Sequence, residues 1–510
     1  LKRWYSMNIK FLKKSLKLKN FLTKVKESFQ VDLRSLAIFR MGLALLILAD
    51  LINRAGNITA HYTDLGVVPR SFIMYTNRFW YLSLHMLSGD KFYQILLFSI
   101  SGIFAIALFL GYRTRLVTFV SWYLFASLNI RNPYILQGGE SMLTLMLFWS
   151  LFMPLGAYYS IDSGTNSSKI RAKNFLSYGT TAYFIQIVVV YLFTAIFKLS
   201  HIEWREGTAV YNTLNTDHYV KPLGKILLSF PLILKFLTYY VLFFELIGAF
   251  LLFIPFKTGV FRTIVVFAFF FLQIGFGGAM ELGTFPWIMS IAMIPFLPTL
   301  FWDSILSKIW FYKIQRIVND KSKILKSNFK KILGSGRIIL KLPKITNFIV
   351  LLFLIYVVLW SLHTVSVLPM SDQLKTIGYV FQLNQEWSMF AQSADPHDGW
   401  FVVKGILKDG AEFDPWKNKP VSWEKPALVS ADYKDQYWQN FMVESMGYYW
   451  WMNYTQLTTH FGQYLCNDWN KNHQEEEMLK ELEIFFILDS DSQNCSYKPN
   501  KILMLKHSCF

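Results

Sequence analysis

The chain has 510 residues, of which 53% are hydrophobic and only 16% charged, with a mean hydropathy of +0.31. Soluble domains are roughly 45–50% apolar and roughly 25% charged, so too few polar residues are present to cover a soluble body of this size. The formal net charge of +18 does not point to nucleic acid, because no recognition motif accompanies it; the basic residues flank apolar runs, where they set topology and attract anionic lipid.

Residues 1–34 are basic and amphipathic. The apolar run that follows reads as a retained anchor, not a cleaved leader, because further membrane segments come after it. A bilayer core of roughly 30 Å takes roughly 20 apolar residues per helix. Nine segments approach this length, at 36–52, 92–110, 116–130, 141–157, 181–198, 236–255, 263–280, 284–302 and 347–367. The third is short, and only a turn holding Gly277, Gly278 and Gly283 separates the seventh from the eighth. That pair reads either as two crossings or as one re-entrant element.

Charge supports the count. Lys10, Lys13, Lys14, Lys17, Lys19, Lys24 and Lys26 precede the first span, and alternate loops carry Arg113 and Arg115, then Lys169, Arg171 and Lys173, then Lys257 and Arg262. The loop at 303–346 adds Lys321, Lys323, Lys326, Lys330, Lys331, Arg337, Lys341 and Lys344. With nine spans all of these fall on the cytoplasmic side. The expected organisation is a basic cytoplasmic segment (1–34), a transmembrane domain (35–367) containing that basic loop, and a small extracytoplasmic α+β domain (368–510). Abundant Lys, Asn and Ile fit a low-GC bacterial genome, which would place the protein in the cytoplasmic (inner) membrane.

In the last domain, 400–407 and 411–413 flank Lys408-Asp409-Gly410, a hairpin signal. Segments near 432–451 and 454–470 read as helices, and 482–488 and 502–505 as strands. Cys466, Cys495 and Cys509 all lie here. One disulfide with a leftover thiol, or three free thiols, fits equally; no metal-ligand spacing occurs.

Ionisable residues at membrane depth are costly, and each demands an account. The candidates are Arg40, Asp50, Glu140, Lys198, Glu245, Glu281 and His363. Lys198 ends an uncharged run and is either a desolvated base or a snorkelling helix-end lysine. Glu245 lies mid-span and is expected to pair with a buried cation such as Arg40, or to be protonated and hydrogen-bonded. Glu281 sits in the glycine-rich turn, facing a ligand or merely closing the turn. Glu140 joins Asp50, His61, Tyr62, Asp64 and His85 on the outer side.

Several stretches resemble the vitamin K-dependent γ-carboxylase-like family, also called the HTTM (horizontally transferred transmembrane) domain family. They are Ser35–Asp50, Tyr62–Arg70, Gly111–Arg115, Arg131-Asn132-Pro133 through Glu140, Tyr191–Trp204, Trp387–Ala391 and Asp398–Trp400. The resemblance puts the carboxylase's catalytic lysine on Lys198. It implies a base that deprotonates a reduced naphthoquinone, whose reaction with O2 drives removal of a glutamate γ-proton. CO2 then adds to that carbon, and the quinone leaves as an epoxide. A lipid-soluble cofactor and a base needing protection from water suit a membrane site.

Two departures matter. The animal enzyme's histidine in the span resembling Phe269–Phe285 is Gln273 here, and another of its histidines falls on or near Glu140. Two readings therefore stand. In one, Lys198 is a catalytic base, Glu140 and Gln273 support it, and Glu245, Arg40 and Glu281 shape the cofactor pocket. In the other, the same fold is a non-catalytic scaffold whose outer domain grips a protein partner. Both place the chain in a lipid bilayer.

Overall fold

The computed structural model describes residues 18–165, 173–306, 340, 342–392, 398–489 and 500–510. Lys10, Lys13, Lys14, Lys17, Lys169, Arg171, Cys495 and the basic loop residues from Lys321 through Lys341 lie outside the described residues.

Among the described residues, six helices are long and apolar enough to cross a membrane: α1 (Leu33–Ala55), α2 (Lys91–Leu110), α5 (Tyr178–Ser200), α6 (Pro231–Leu251), α7 (Thr258–Ala279) and α9 (Lys344–Thr364). The other three expected spans are also helical, but shorter or more polar. They form α3 (Thr114–Arg131), α4 (Gly138–Ser150) and α8 (Phe285–Ala292). All but one residue of α4 from Gly139 to Ser150 is buried, so this helix lies in the centre of the helical body, packed on its neighbours.

Local chemistry sets the ends. The Asp32 side chain caps α1 by accepting from Arg34 N at 2.8 Å, and Asp90 caps α2 by accepting from Tyr93 N at 3.0 Å. Ser177 and Thr180 form a reciprocal box at the start of α5. Gly111 ends α2 at φ +68°, where a Cβ would lie 2.4 Å from Ser160 Cβ and 2.7 Å from the Arg40 guanidinium.

Helix α1 packs on α2, and α5 packs on α6, α9 and α4. Phe243, Ile247, Ile264, Phe271 and Ile274 on α6 and α7 remain exposed, as faces turned to lipid would be. Strand β1 (Val31–Asp32) pairs antiparallel with β2 (Asn174–Phe175).

After α9 comes the amphipathic helix α10 (Asp372–Phe381). The last domain is a four-stranded antiparallel sheet of order β4-β3-β5-β6, built from β3 (Gly399–Leu407), β4 (Glu412–Phe413), β5 (Leu479–Leu488) and β6 (Asn500–Ser508). Helix α11 (Gln456–Asn472) packs on β5 and β6. The disulfide Cys466–Cys509 joins α11 to the residue after β6. A π-helical turn at Asn440–Gly447 carries Asn440, whose amide donates to Ile135 O at 3.0 Å, so the domain sits directly on the helical body.

Candidate functional site

The helices bring three charged or polar positions from separate spans onto one cavity. Lys198 lies in the last turn of α5, Glu245 in the middle of α6, and Gln273 on α7. Tyr191 and Thr194 precede Lys198 by seven and four residues, which sets all three on one helix face. The cavity they line holds about 290 Å³, and its walls are mainly apolar, with Val190, Leu214, Leu237, Phe276 and Met289 among them.

Lys198 Nζ donates to Glu245 Oε2 at 2.6 Å, and each side chain is only 5% exposed. The lysine therefore does not snorkel. Its ammonium also lies 4.6 Å from the centre of the Trp204 ring. Two further buried polar groups on the wall, the Tyr191 hydroxyl and the Gln273 amide, face each other.

The roof comes from the segment after α10. Trp387, Met389 and Phe390 line the cavity. Trp204 Nε1 donates to the carbonyls of Phe390 and Ala391, both at 3.0 Å. Gln385 anchors the same segment: its Oε1 accepts from Gln186 Nε2 and from Trp387 Nε1, each at 2.8 Å, and its carbonyl accepts from Trp360 Nε1 at 2.9 Å.

The remaining expected residues lie elsewhere. Arg40 does not pair with Glu245. Its guanidinium donates to the carbonyls of Leu155 (3.0 Å), Tyr159 (2.6 Å), Tyr158 (3.3 Å) and Phe109 (3.2 Å), tying α1 to the ends of α2 and the loop after α4. Glu281 pairs with Lys221 at 3.0 Å, and its backbone N–H donates to Tyr219 O at 2.6 Å, so it closes the turn after α7. His363, at the end of α9, faces Leu368 O at 3.2 Å. Neither Arg40 nor Glu281 lines the cavity.

Glu140 belongs to a second buried cluster. Arg54 Nε meets Asp50 Oδ2 at 2.8 Å and its NH2 lies 3.7 Å from Glu140 Oε1. Arg54 NH1 donates to Tyr62 Oη at 2.8 Å, and Tyr437 Oη donates to Asp50 Oδ1 at 2.7 Å. The other Glu140 oxygen accepts from Gln137 N at 2.8 Å, closing the first turn of α4. This cluster pins the last domain, through Tyr437, to α1 and α4. Next to it His61 is buried against Trp438, 4.4 Å between ring centres, and burial pushes its imidazole down to about 3.

The HTTM domain family matches residues 29–302, more than half of the chain. The chain belongs to the HTTM family. Lys198, Glu245, Gln273 and Tyr191 all fall inside the HTTM region, whereas Trp387, Met389 and Phe390 fall outside it. Among curated relatives, the chain is 29% identical over 147 residues to the sporulation-delaying protein SdpB of Bacillus subtilis (strain 168), covering 27% of this chain and 44% of SdpB. It is 29% identical over 253 residues to the uncharacterized protein YitO of the same organism, covering 47% of this chain and 77% of YitO. The match thus spans less than half of SdpB. No solved structure matches.

Sequence reasoning missed Tyr191, the Arg54 partner of Glu140, and the roof. The seven-residue spacing of Tyr191 from Lys198 and the four-residue spacing of Asp50 from Arg54 were readable signals. The roof's Trp387–Ala391 stretch carried part of the resemblance, but its place over the cavity depends on how residues 383–391 lie across the helices.

Proposed function

We propose that this HTTM protein is a membrane-embedded, quinol-dependent enzyme of the γ-carboxylase type, with Lys198 and Glu245 acting together as its base. The observation that carries the reading is the 2.6 Å Lys198–Glu245 pair on the wall of an apolar cavity. Three features fit a reduced naphthoquinone: a volume of about 290 Å³, near the lower end of ligand sites of roughly 300–1,000 Å³; apolar walls; and a buried polar pair, Tyr191 and Gln273, on the wall. When bound, such a quinol supplies, with O2, the drive for carboxylation by CO2.

The chain's own part is to handle a proton. An ammonium has no lone pair, so Lys198 becomes a base when its proton passes along the short hydrogen bond to Glu245 Oε2. The freed amine then takes a hydroxyl proton from the ligand, and the net proton rests on Glu245. Trp204 favours the cationic lysine that results, and the apolar walls keep water away.

The same reading sets the topology. Helices α3, α4 and α8 complete nine crossings, with the N-terminus in the cytoplasm of a bacterium and residues 368–510 outside its cytoplasmic membrane. The Cys466–Cys509 bond supports this, because disulfides persist in oxidising compartments.

The test supplies purified protein with a reduced naphthoquinone, O2, labelled bicarbonate and a glutamyl peptide. Epoxide and fixed label from wild type, absent in a folded Lys198→Ala variant, support the proposal. No product from well-folded wild type across several quinols would sink it. A second reading, a scaffold whose outer domain binds a protein, is favoured by the directness of the Lys198–Glu245 pair, which is also how two helices are locked together. Under that reading Lys198→Met with Glu245→Leu keeps biological function.

A further inference from the structure

We infer that residues 372–391 form a re-entrant loop, entering the bilayer beside α9 and leaving it beside α5, with the exposed apolar face of α10 covered by lipid acyl chains. The inference stands whether or not a ligand occupies the cavity. It places the leading part of residues 368–510 within the membrane and leaves the sheet domain outside.

Two spanning helices report the depth independently. Phe381, the last residue of α10, meets Phe353 at 5.0 Å between ring centres. Phe353 precedes the end of α9 at Thr364 by eleven residues, which is about 16 Å at 1.5 Å per residue. Gln385 Oε1 accepts from Gln186 Nε2 at 2.8 Å. Gln186 precedes the end of α5 at Ser200 by fourteen residues, about 21 Å. A hydrocarbon core is roughly 30 Å thick, so both contacts lie well inside it. The chain then climbs out: the carbonyls of Phe390 and Ala391 accept from Trp204, four residues beyond the end of α5.

The sequence of the loop suits this path. The charges of α10, Asp372 and Lys375, are confined to its first four residues, and no Asp, Glu, Lys or Arg follows until Glu386. Gly378 lets α10 close on α9; a Cβ there would lie 2.6 Å from Trp360 Cζ3 and 2.7 Å from Tyr356 Oη. Tyr356 Oη donates to Leu374 O at 2.8 Å. Gln382, at φ +53°, ends the helix, and Leu383 N donates to Gly378 O at 2.8 Å.

The two limbs also divide as a bilayer demands. A helix satisfies its own backbone and can face lipid, whereas irregular backbone at membrane depth has to be buried in protein. Leu374, Ile377 and Val380 recur every three residues on one side of α10 and are exposed. Leu383, Gln385, Trp387 and Ala391 on the irregular limb are all buried. The roof of the cavity is this returning limb.

The test puts a fluorophore on the helix face. Full-length protein carrying Cys495→Ser, whose other two cysteines are bonded to each other, receives Ile377→Cys or Val380→Cys, is labelled with bimane and is reconstituted in phosphatidylcholine vesicles. Lys419→Cys, at an exposed position of the sheet domain, is the control. The label at position 377 or 380 is expected to lose its emission to lipids brominated on the acyl chain and to be spared by iodide in the buffer, with the reverse at position 419. Iodide quenching at 377 and 380 equal to that at 419 would overturn the inference by showing water on that face. Protection from both quenchers would overturn it by showing protein there, such as a second copy of the chain. Agreement between the two positions guards against a local distortion caused by either label.

Discussion

Replacing Glu245 by leucine isolates what the Lys198–Glu245 pair contributes. Both side chains are 5% exposed, and the substitution leaves the lysine ammonium with only the Trp204 face at 4.6 Å. Removing one partner of a buried ion pair typically costs about 3–5 kcal/mol, because the survivor is left buried and unpaired. The cation–π contact returns about 0.5–2 kcal/mol of this at most, so a loss near 3 kcal/mol is expected for Glu245→Leu. At about 2 °C per kcal/mol, the melting midpoint in detergent should fall by about 6 °C. The decisive variant is the double one. Lys198→Met with Glu245→Leu removes both charges and restores apolar contact between α5 and α6, so it should recover to within about 1 kcal/mol of wild type or exceed it. Thermal unfolding followed by size-exclusion recovery measures both. A single variant as stable as wild type, or a double variant no better than the single, would refute the argument that these two groups are buried against each other.

Stability should fall as pH drops from about 6.5 towards 3. Burial lowers His61 to about 3 in the folded protein, so the unfolded chain binds the extra proton in that window, at a cost of up to about 5 kcal/mol; His61→Phe should flatten this acid limb of a stability–pH profile. Reduction of Cys466–Cys509, or Cys509→Ser, should lower the unfolding free energy of the last domain by about 4 kcal/mol on the loop-entropy model for its sequence separation of 43, read as earlier proteolysis of that domain. Arg54→Met strands the Asp50 and Glu140 carboxylates, and should cost about 3 kcal/mol or more and speed hydrogen exchange around Tyr437; unchanged exchange there would contradict the pinning role of the cluster.

Hydropathy located the spans and charge exposed the residues that had to be explained. Lys198 and Glu245 stood out as charges at the end or in the middle of apolar runs, and Gln273 because the resemblance sets it where the animal enzyme has a histidine; the fold places all three on one cavity. Their partners were less legible. The choice between Arg40 and Lys198 for Glu245 depends on which helices touch, and α5 packs on α6 while Arg40 turns to four loop carbonyls instead. Glu140 read as a site residue because it follows two glycines in an outer loop, yet its acidity serves a helix start and a neighbouring arginine. Helices α3, α4 and α8 also formed where apolar runs predicted helices, but they are shorter or more polar than the six long apolar helices.

The cavity is composed of two inheritances. Its Lys198–Glu245 wall is written in the part of the chain that the HTTM family matches, but its ceiling of Trp387, Met389 and Phe390 is written downstream of that part and hangs from Gln186 and Trp204 by a few hydrogen bonds. Wall and ceiling can therefore drift independently in such a protein. A chimera that exchanges residues 368–510 would reshape the top of the cavity while leaving the Lys198–Glu245 pair untouched, much as a tool holder accepts a new bit.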